Sequence, residues 1–181
     1  MKAVYRSIKP YWLYLIIIGK KTTEVGKSFP KAEDWNKEVF LHCSKDMKSF
    51  KRIPEKYREW MRKYLGKVAC RFVCDKIYNL TPHFDKPDFC NQYLCDWKWG
   101  EGTACLSFTE MNDYLKGKNG YGWHISNLVI YDKPKELSEF VLGCRGCKDK
   151  DTYHCKFHCM GVREIKRPPQ SWCYVESEDT E

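Results

Sequence analysis

Short strand-like segments outnumber helix-like segments in this sequence, and this imbalance restricts the fold more than any other feature. Apolar or β-branched runs typical of strands occur at residues 3–8, 22–27, 39–43, 67–77, 123–131 and 172–175. Few helices lie between them, so the chain lacks the strand–helix alternation of a doubly wound parallel sheet. We therefore predict an α+β domain, a twisted and mostly antiparallel pseudo-barrel with helices at its rim.

Helix signals place three helices and one helical turn among these strands. The segments begin at a proline, a capping box or an acidic turn and cover residues 10–19, 54–65, 107–116 and 136–140. Residues 78–105 are rich in Asp, Pro, Cys and aromatic residues, which predicts a long loop or an insertion. Pro134 is expected to break the strand that begins at Trp123.

Length and charge indicate one domain with an anionic partner. The 181 residues are 43% hydrophobic and carry a net charge of +8. We predict a single domain over residues 1–176, with a cysteine-rich insert at about 143–160 and a disordered acidic tail at 177–181. The positive charge favours polyanions through counterion release. Many basic proteins bind no nucleic acid, so charge alone leaves the partner open.

The apolar run at residues 11–18 decides the expected location. Basic residues precede it, as in a signal peptide, but Lys20 and Lys21 follow it closely and no small-x-small cleavage site appears. The run is also too short to span a bilayer. We interpret it as a buried helix of a cytoplasmic protein without a membrane partner.

Eleven cysteines in a cytoplasmic chain point to metal binding rather than to disulfides. Four of them form two short pairs: Cys144, Cys147, Cys155 and Cys159. Four thiolates at this spacing can hold structural Zn²⁺ tetrahedrally, and His154 or His158 can replace one of them. The alternative is free thiols in a mobile loop.

Residues 19–27 read GKKTTEVGK, which resembles the ASCH domain signature G-x-K-x-x-E-x-R. Further segments look like a phage-associated bacterial branch of that family, namely residues 7–10, 122–126, 131–134 and 168–172. The resemblance implies a PUA-like fold and RNA or another polyanionic nucleotide as the ligand. A few small members of the family are amidohydrolases that act on acetylated cytidine.

The chain departs from the family pattern at the positions that carry chemistry. Gly26 stands where the signature has arginine, and Lys27 beside it faces the opposite side of a strand. The amidohydrolase members use a lysine, a threonine and a glutamate. Lys21 matches the lysine, whereas Glu24 occupies the threonine position and residues 71–72, Arg and Phe, occupy that of the glutamate. Because two of the three catalytic residues are not matched, the comparison with the family pattern favours a non-catalytic module.

The candidate site lies at the junction of the first helix and the second strand. The nucleic-acid-binding candidates are Lys9, Lys21, Glu24, Lys27, Trp123 and Ser126. Lys21 and Glu24 either line a cleft or form an ordinary exposed ion pair. Trp123 either stacks on a base or belongs to the core.

Three functions remain open from the sequence. The first is a non-catalytic module that binds RNA or a modified nucleotide. The second is a hydrolase of a modified nucleoside such as acetylated cytidine, in which Lys21 and Glu24 act and Ser126 or Thr23 is the nucleophile. The third is a phage-encoded protein-binding module.

Overall fold

Four helices and a short 3₁₀ turn accompany the strands in the part of the protein that the structure describes. The structure is a computed structural model that describes residues 2–33, 35–82, 93–95, 104–142 and 165–176. The helices are α1 (Pro10–Ile17), α2 (Met47–Phe50), α3 (Glu55–Arg62) and α4 (Phe108–Leu115), and the 3₁₀ turn covers Leu137–Glu139. Pro10 occupies the first turn of α1, and Ser107 and Glu110 form the predicted capping box of α4.

The strands form two sheets. Their bounds are β1 (Lys2–Ile8), β2 (Thr23–Gly26), β3 (Trp35–Cys43), β4 (Val68–Val73), β5 (Ile77–Pro82), β6 (Tyr93–Cys95), β7 (Gly120–His124), β8 (Ser126–Lys135) and β9 (Trp172–Glu176). One sheet has the order β8-β4-β3-β1-β9 and the other the order β2-β7-β5-β6. Only β1 and β3 pair in parallel; every other pairing among the described strands is antiparallel.

Helix α1 packs its apolar residues against the five-stranded sheet. Leu13 and Ile16 are fully buried and join Val4 of β1 and Leu41 of β3 in one apolar cluster. Burial of such side chains stabilises the fold by about 1.5–3 kcal/mol each. Gly19 adopts a left-handed φ of 73° just after the helix, as expected for its end. This turn sends the chain into β2, which holds one wall of the site.

Residues 67–77, predicted as one long strand, contain β4 and only the first residue of β5. β4 ends at Val73 and lies in the five-stranded sheet, whereas β5 begins at Ile77 and lies in the four-stranded sheet. Residues 74–76 pass between the sheets, and Asp75 there pairs with His124. Strands β5 and β6 also fall within the segment predicted as a loop, because apolar alternation is hard to see among its polar and cysteine residues.

The strand predicted over residues 123–131 is also divided between the two sheets. Trp123 belongs to β7, and the chain bends at Ile125, followed by Asn127 with a φ of 48°. The prediction that Pro134 breaks the second part is wrong, because β8 continues to Lys135. β8 is an edge strand, so the missing N–H of proline costs no ladder bond.

The α+β class and the mostly antiparallel arrangement are confirmed. The sheets remain open among the described strands, with β8 and β9 at the edges of one and β2 and β6 at the edges of the other, so the pseudo-barrel is not closed. β1 and β4 share one sheet, as a single domain requires. In the part of the chain that the structure describes, no helix has the length and apolarity needed to cross a membrane.

Candidate functional site

A cleft of about 510 Å³ opens between α1, α4 and the ends of β1 and β2. Clefts of this size are typical of small-molecule sites. Half of the residues that line it are charged: Arg6, Lys9, Lys21, Glu24, Asp46, Lys48, Arg52, Glu110 and Asp113. The aromatic side chains of Trp12 and Tyr114 complete it. The cleft therefore joins charges of both signs with two rings.

Arg6, Glu24 and Lys21 form a buried charge cluster at this wall. Arg6 Nη2 donates to Glu24 Oε1 at 2.9 Å and to the carbonyl of Val25 at 2.7 Å. Lys21 Nζ lies 3.2 Å from Glu24 Oε2. Lys21 and Arg6 are each 2% exposed. The cluster holds two cations and one anion out of water, which leaves one unbalanced positive charge beside the cleft.

Every N–H bond of the Lys21 ammonium group is used within the protein. Besides Glu24, it donates to the carbonyl of Thr23 at 2.8 Å and to the carbonyl of Ala104 at 2.7 Å. An ammonium group has three donors. Lys21 therefore connects the start of β2 to the segment that precedes α4. Its positive charge attracts anions to the cleft, but its ammonium group has no donor left to bind a ligand directly.

The electrostatics of the cluster follow from burial and from its charge imbalance. Burial lowers the pKa of Lys21, and the nearby carboxylate of Glu24 opposes this shift. Burial alone would raise the pKa of Glu24, but the charges of Lys21 and Arg6 outweigh it, so the pKa of Glu24 is lowered. Glu24 is therefore firmly ionised at neutral pH.

The packing of Arg6 explains why glycine, and not the signature arginine, occupies position 26. The guanidinium carbon of Arg6 lies 4.7 Å from the ring centroid of Trp123, which is fully buried. A Cβ at Gly26 would lie 3.0 Å from Trp123 Nε1 and 3.3 Å from Arg6 Nη1. Arg6 on β1 thus takes the space beside Gly26 and pairs with the glutamate, as a signature arginine on β2 could have done.

Arg52 and two aromatic rings form the outer wall. The guanidinium carbon of Arg52 lies 4.1 Å from the ring centroid of Tyr11 and 4.9 Å from that of Trp12. Arg52 also pairs with Glu110 at 3.0 Å. Tyr114 is 39% exposed, and burial of its hydroxyl raises its pKa. Trp12 and Tyr114 therefore offer ring surface to the cleft.

Half of the nucleic-acid-binding residues predicted from the sequence line the cleft. Lys9, Lys21 and Glu24 line it. Trp123 lies in the core beneath Arg6, so its ring faces the guanidinium group rather than a base. Lys27 is exposed outside the cleft with its ammonium group 5.0 Å from the Tyr114 ring. Ser126 donates to the carbonyl of Val73 at 2.8 Å and does not line the cleft.

The predicted zinc ligands lie outside the described residues. Cys144, Cys147, Cys155 and Cys159, with their alternatives His154 and His158, belong to the segment 143–164. Residues 2–33, 35–82, 93–95, 104–142 and 165–176 contain no cluster of side chains that could hold a metal ion. The zinc site stays a prediction.

Arg6, Trp12, Arg52 and Tyr114 belong to the cleft but were not predicted from the sequence. A signal existed for Arg6, because a charged residue within the apolar strand Ala3–Ile8 is expected to be buried with a partner. Trp12 belongs to the apolar run at residues 11–18, which the sequence predicts as a buried helix. Arg52 and Tyr114 lie far apart in sequence, and only the packing of α4 near α1 brings them together.

Comparisons with known proteins give a match in structure alone. No protein-family model matches the sequence, and no curated protein matches it. Three crystal structures of the ASCH protein of Zymomonas mobilis are similar: a tyrosine-to-phenylalanine variant, a serine-to-alanine variant and the protein without substitution. The TM-scores are 0.55, 0.54 and 0.50, at 14% identity in each case.

The structural match extends over nearly the full length of both proteins. It covers 98%, 97% and 97% of this chain and 92%, 89% and 88% of the three structures, in the same order. Two sheets, their flanking helices and the junction of α1 with β2 therefore lie within the shared architecture. This chain has the fold of an ASCH domain protein.

Proposed function

We propose that this chain is a non-catalytic ASCH-type module that binds RNA or a modified nucleotide in the cleft beside Arg6, Lys21 and Glu24. The observation that carries the proposal is the buried cluster in which two cations share one carboxylate at the wall of an open cleft. Its unbalanced positive charge favours an anionic group. The proposed setting is the cytoplasm, where the buried thiols of Cys43, Cys70 and Cys74 stay reduced.

The aromatic rings of the cleft suit a base. Trp12 and Tyr114 lie in the same wall as the charge cluster, and Lys21 Nζ lies 5.6 Å from the Trp12 ring centroid. Stacking of a base on an aromatic side chain contributes about 1–3 kcal/mol. A ligand that joins a phosphate to an unstacked base fits both features. Single-stranded RNA presents such bases in loops and at ends.

Three of the four acidic residues of the wall are engaged with the protein itself. Glu24 pairs with Arg6 and Lys21, and Glu110 pairs with Arg52 and with the start of α4. Asp46 accepts from the backbone N–H of Ser49 at 3.1 Å. Their charges are therefore partly balanced within the wall, which reduces their repulsion of a phosphate.

A hydrolase of a modified nucleoside is the second candidate. The lowered pKa of Lys21 favours it, because an uncharged amine can accept a proton from a nucleophile. The donors of the charged amine are committed, however, and Arg71 is paired with Glu38 while Phe72 is buried in the core. The positions that correspond to the catalytic glutamate therefore contribute nothing to the cleft.

The test is a binding titration with labelled single-stranded RNA and DNA of the same sequence at several salt concentrations. We expect RNA binding that weakens as salt rises. Arg6→Lys keeps the charge but loses the planar fork, so affinity should fall about tenfold. Arg71→Lys is the matched control, because Arg71 pairs with Glu38 across neighbouring strands away from the cleft.

Turnover decides between the two candidates. The same protein is incubated with acetylated cytidine, and release of acetate is followed. Hydrolysis that Lys21→Ala abolishes would establish the hydrolase and overturn the non-catalytic module. If the protein shows no RNA binding and no hydrolysis, both candidates are contradicted and a protein-binding role is left.

A further inference from the structure

A second cavity of about 630 Å³ adjoins the cleft. The two share part of their walls: Ser7, Ile8, Lys9, Asp46 and Gln170. The shared residues come from the end of β1, the start of α2 and the segment before β9. Ser7 N donates to the carbonyl of Ser171 at 2.9 Å, which fixes these segments together. Lys9 therefore lies at the boundary between two neighbouring spaces.

The second cavity has an unusual wall of buried polar groups. His42 is 3% exposed, and its ring nitrogens have no hydrogen-bond partner among the described residues apart from an interaction with the backbone of Gly66. The hydroxyl oxygens of Ser7 and Ser44 are also buried without a partner there. Buried polar groups are normally satisfied, because leaving them unpaired costs free energy. Three such groups lie just beneath one wall, so they would suit a ligand rich in hydroxyl and carbonyl groups once a side chain at the rim moves aside.

The state of His42 fits a neutral ligand group. Burial and the charge of Lys45 lower the pKa of His42, while the backbone of Gly66 opposes part of this shift. A neutral imidazole has one donor and one acceptor, and it stacks here on Tyr5 with the ring centroids 5.7 Å apart. A ribose hydroxyl or the edge of a base matches a donor and an acceptor together.

The cations of this cavity lie at its rim. Lys9 and Lys45 are exposed, and Asp46 is the one acidic residue in the described wall. Lys9 Nζ lies 3.5 Å from Asp46 Oδ2, and the Lys9 side chain is 63% exposed. Lys45 lies across Gly66, where an added Cβ would overlap Lys45 Cε. Both lysines can therefore turn towards a phosphate, and Lys45 can move to admit a ligand to the wall beneath it.

We infer that the second cavity holds the nucleoside next to the one in the cleft, so that the smallest complete ligand is a ribodinucleotide with its bridging phosphate at Lys9. The inference rests on the proposed function. The aromatic rings and the charge cluster of the cleft would bind one nucleotide. The buried polar groups of the second cavity would bind the neighbouring nucleoside. Of the segment 168–170, only Gln170 lines the cleft, but all three residues line the second cavity and so become part of the proposed binding surface.

Calorimetric titration with ribodinucleoside monophosphates and with ribonucleoside 3′-monophosphates of the common bases tests the inference. Both kinds of probe carry one phosphate group, but only the first has a second nucleoside. We expect the best dinucleotide to bind at least about tenfold more tightly than the best mononucleotide. Ser44→Ala should remove much of that difference and leave mononucleotide affinity unchanged.

His42→Phe gives a second measurement, because it keeps a ring against Tyr5 and removes both nitrogens. Ser138→Ala, an exposed serine outside both cavities, is the control for Ser44→Ala. Thermal unfolding confirms that each variant is folded. Equal affinity for both kinds of probe would overturn the dinucleotide ligand and keep the proposed function. Failure of mononucleotides, dinucleotides and longer RNA to bind would overturn both.

Discussion

A Cβ at Gly26 would lie 3.3 Å from Arg6 Nη1, so a side chain at position 26 would have to displace its neighbours by a few tenths of an ångström. The same Cβ would lie 3.0 Å from the carbonyl oxygen of Ser28. These distances are tighter than ordinary contacts, and backbone can give way less easily than a long side chain. The absence of a side chain at position 26 is therefore a condition for the buried charge cluster.

Gly26→Ala should destabilise the protein by about 1–3 kcal/mol, the usual cost of overpacking. It should also weaken RNA binding, because relief of the contact displaces Arg6 from Glu24. Urea unfolding measures the first effect and the RNA titration the second. Wild-type stability together with wild-type affinity in this variant would show that Arg6 does not depend on the space beside Gly26.

Glu24→Gln should cost about 3–5 kcal/mol of stability, because it leaves Arg6 and Lys21 buried without a negative partner. Glu59→Gln is the matched control. Its carboxylate is 88% exposed and pairs with Arg62, so the free energy of unfolding should change by less than about 0.5 kcal/mol. Similar losses in the two variants would contradict a special role for the buried carboxylate.

The stability of the wild-type protein should also fall in acid through Glu24. The folded-state pKa of Glu24 lies below its ordinary value of 4.5. The group therefore contributes stability above pH 4.5, and this part is lost as the pH falls through the folded-state pKa. Denaturation midpoints measured from neutral to acidic pH should decline less steeply in Glu24→Gln. Parallel curves would exclude Glu24 as the source.

Trp12→Ala should weaken RNA binding by about 1–3 kcal/mol if a base stacks on its ring. Trp60→Ala removes the same ring from α3, where it is 40% exposed and lines neither cavity. Fluorescence anisotropy with a labelled RNA compares the two. An equal loss in both variants would indicate that the effect comes from general destabilisation.

The double variant Lys48→Gln, Arg52→Gln should flatten the salt dependence of RNA binding. Each phosphate contact on a single strand contributes about −0.7 to the slope of log K against log salt, so two lost contacts change it by about 1.4. Arg62→Gln, Lys63→Gln removes the same charge outside both cavities and should leave the slope nearly unchanged. A shared change would show that net charge alone controls binding.

Zinc should copurify at about one equivalent with protein prepared under anaerobic conditions. Cys144→Ser together with Cys147→Ser should abolish it, because two of four thiolates are lost. Elemental analysis is the measurement. Cys43→Ser serves as the control, since Cys43 is a buried thiol of β3 and burial raises its pKa to about 12. Metal-free wild-type protein would reject the site.

Most of the order of elements was predictable because local signals set it, whereas α2 and β6 were missed. Pro10 marks the start of α1 and Gly19 its end, and the capping box of Ser107 and Glu110 begins α4. The crossings between sheets were not predictable. Residues 67–77 and 123–131 each read as one strand-like segment, yet each passes from one sheet to the other. Only long-range pairing separates them, and periodicity within one segment does not contain that information.

The site was half predictable for a related reason. Lys21 and Glu24 belong to one short signature, so the sequence places them together. Arg6 and Trp123 reach the same cluster from β1 and β7 through the packing of the two sheets. A buried tryptophan and a base-stacking tryptophan look alike in sequence, and only burial distinguishes Trp123 from Trp12.

The pairing of β9 with the outer edge of β1 sets the order in which the binding surface can form on the ribosome. Arg6 emerges early and β9 late, yet Gln170 and Ser171 beside β9 form part of the cleft wall. A nascent chain that lacks β9 has a bare strand edge at β1, which is open to wrong pairing. The wall of the cleft is therefore complete only after β9 has been made and has covered this edge of β1.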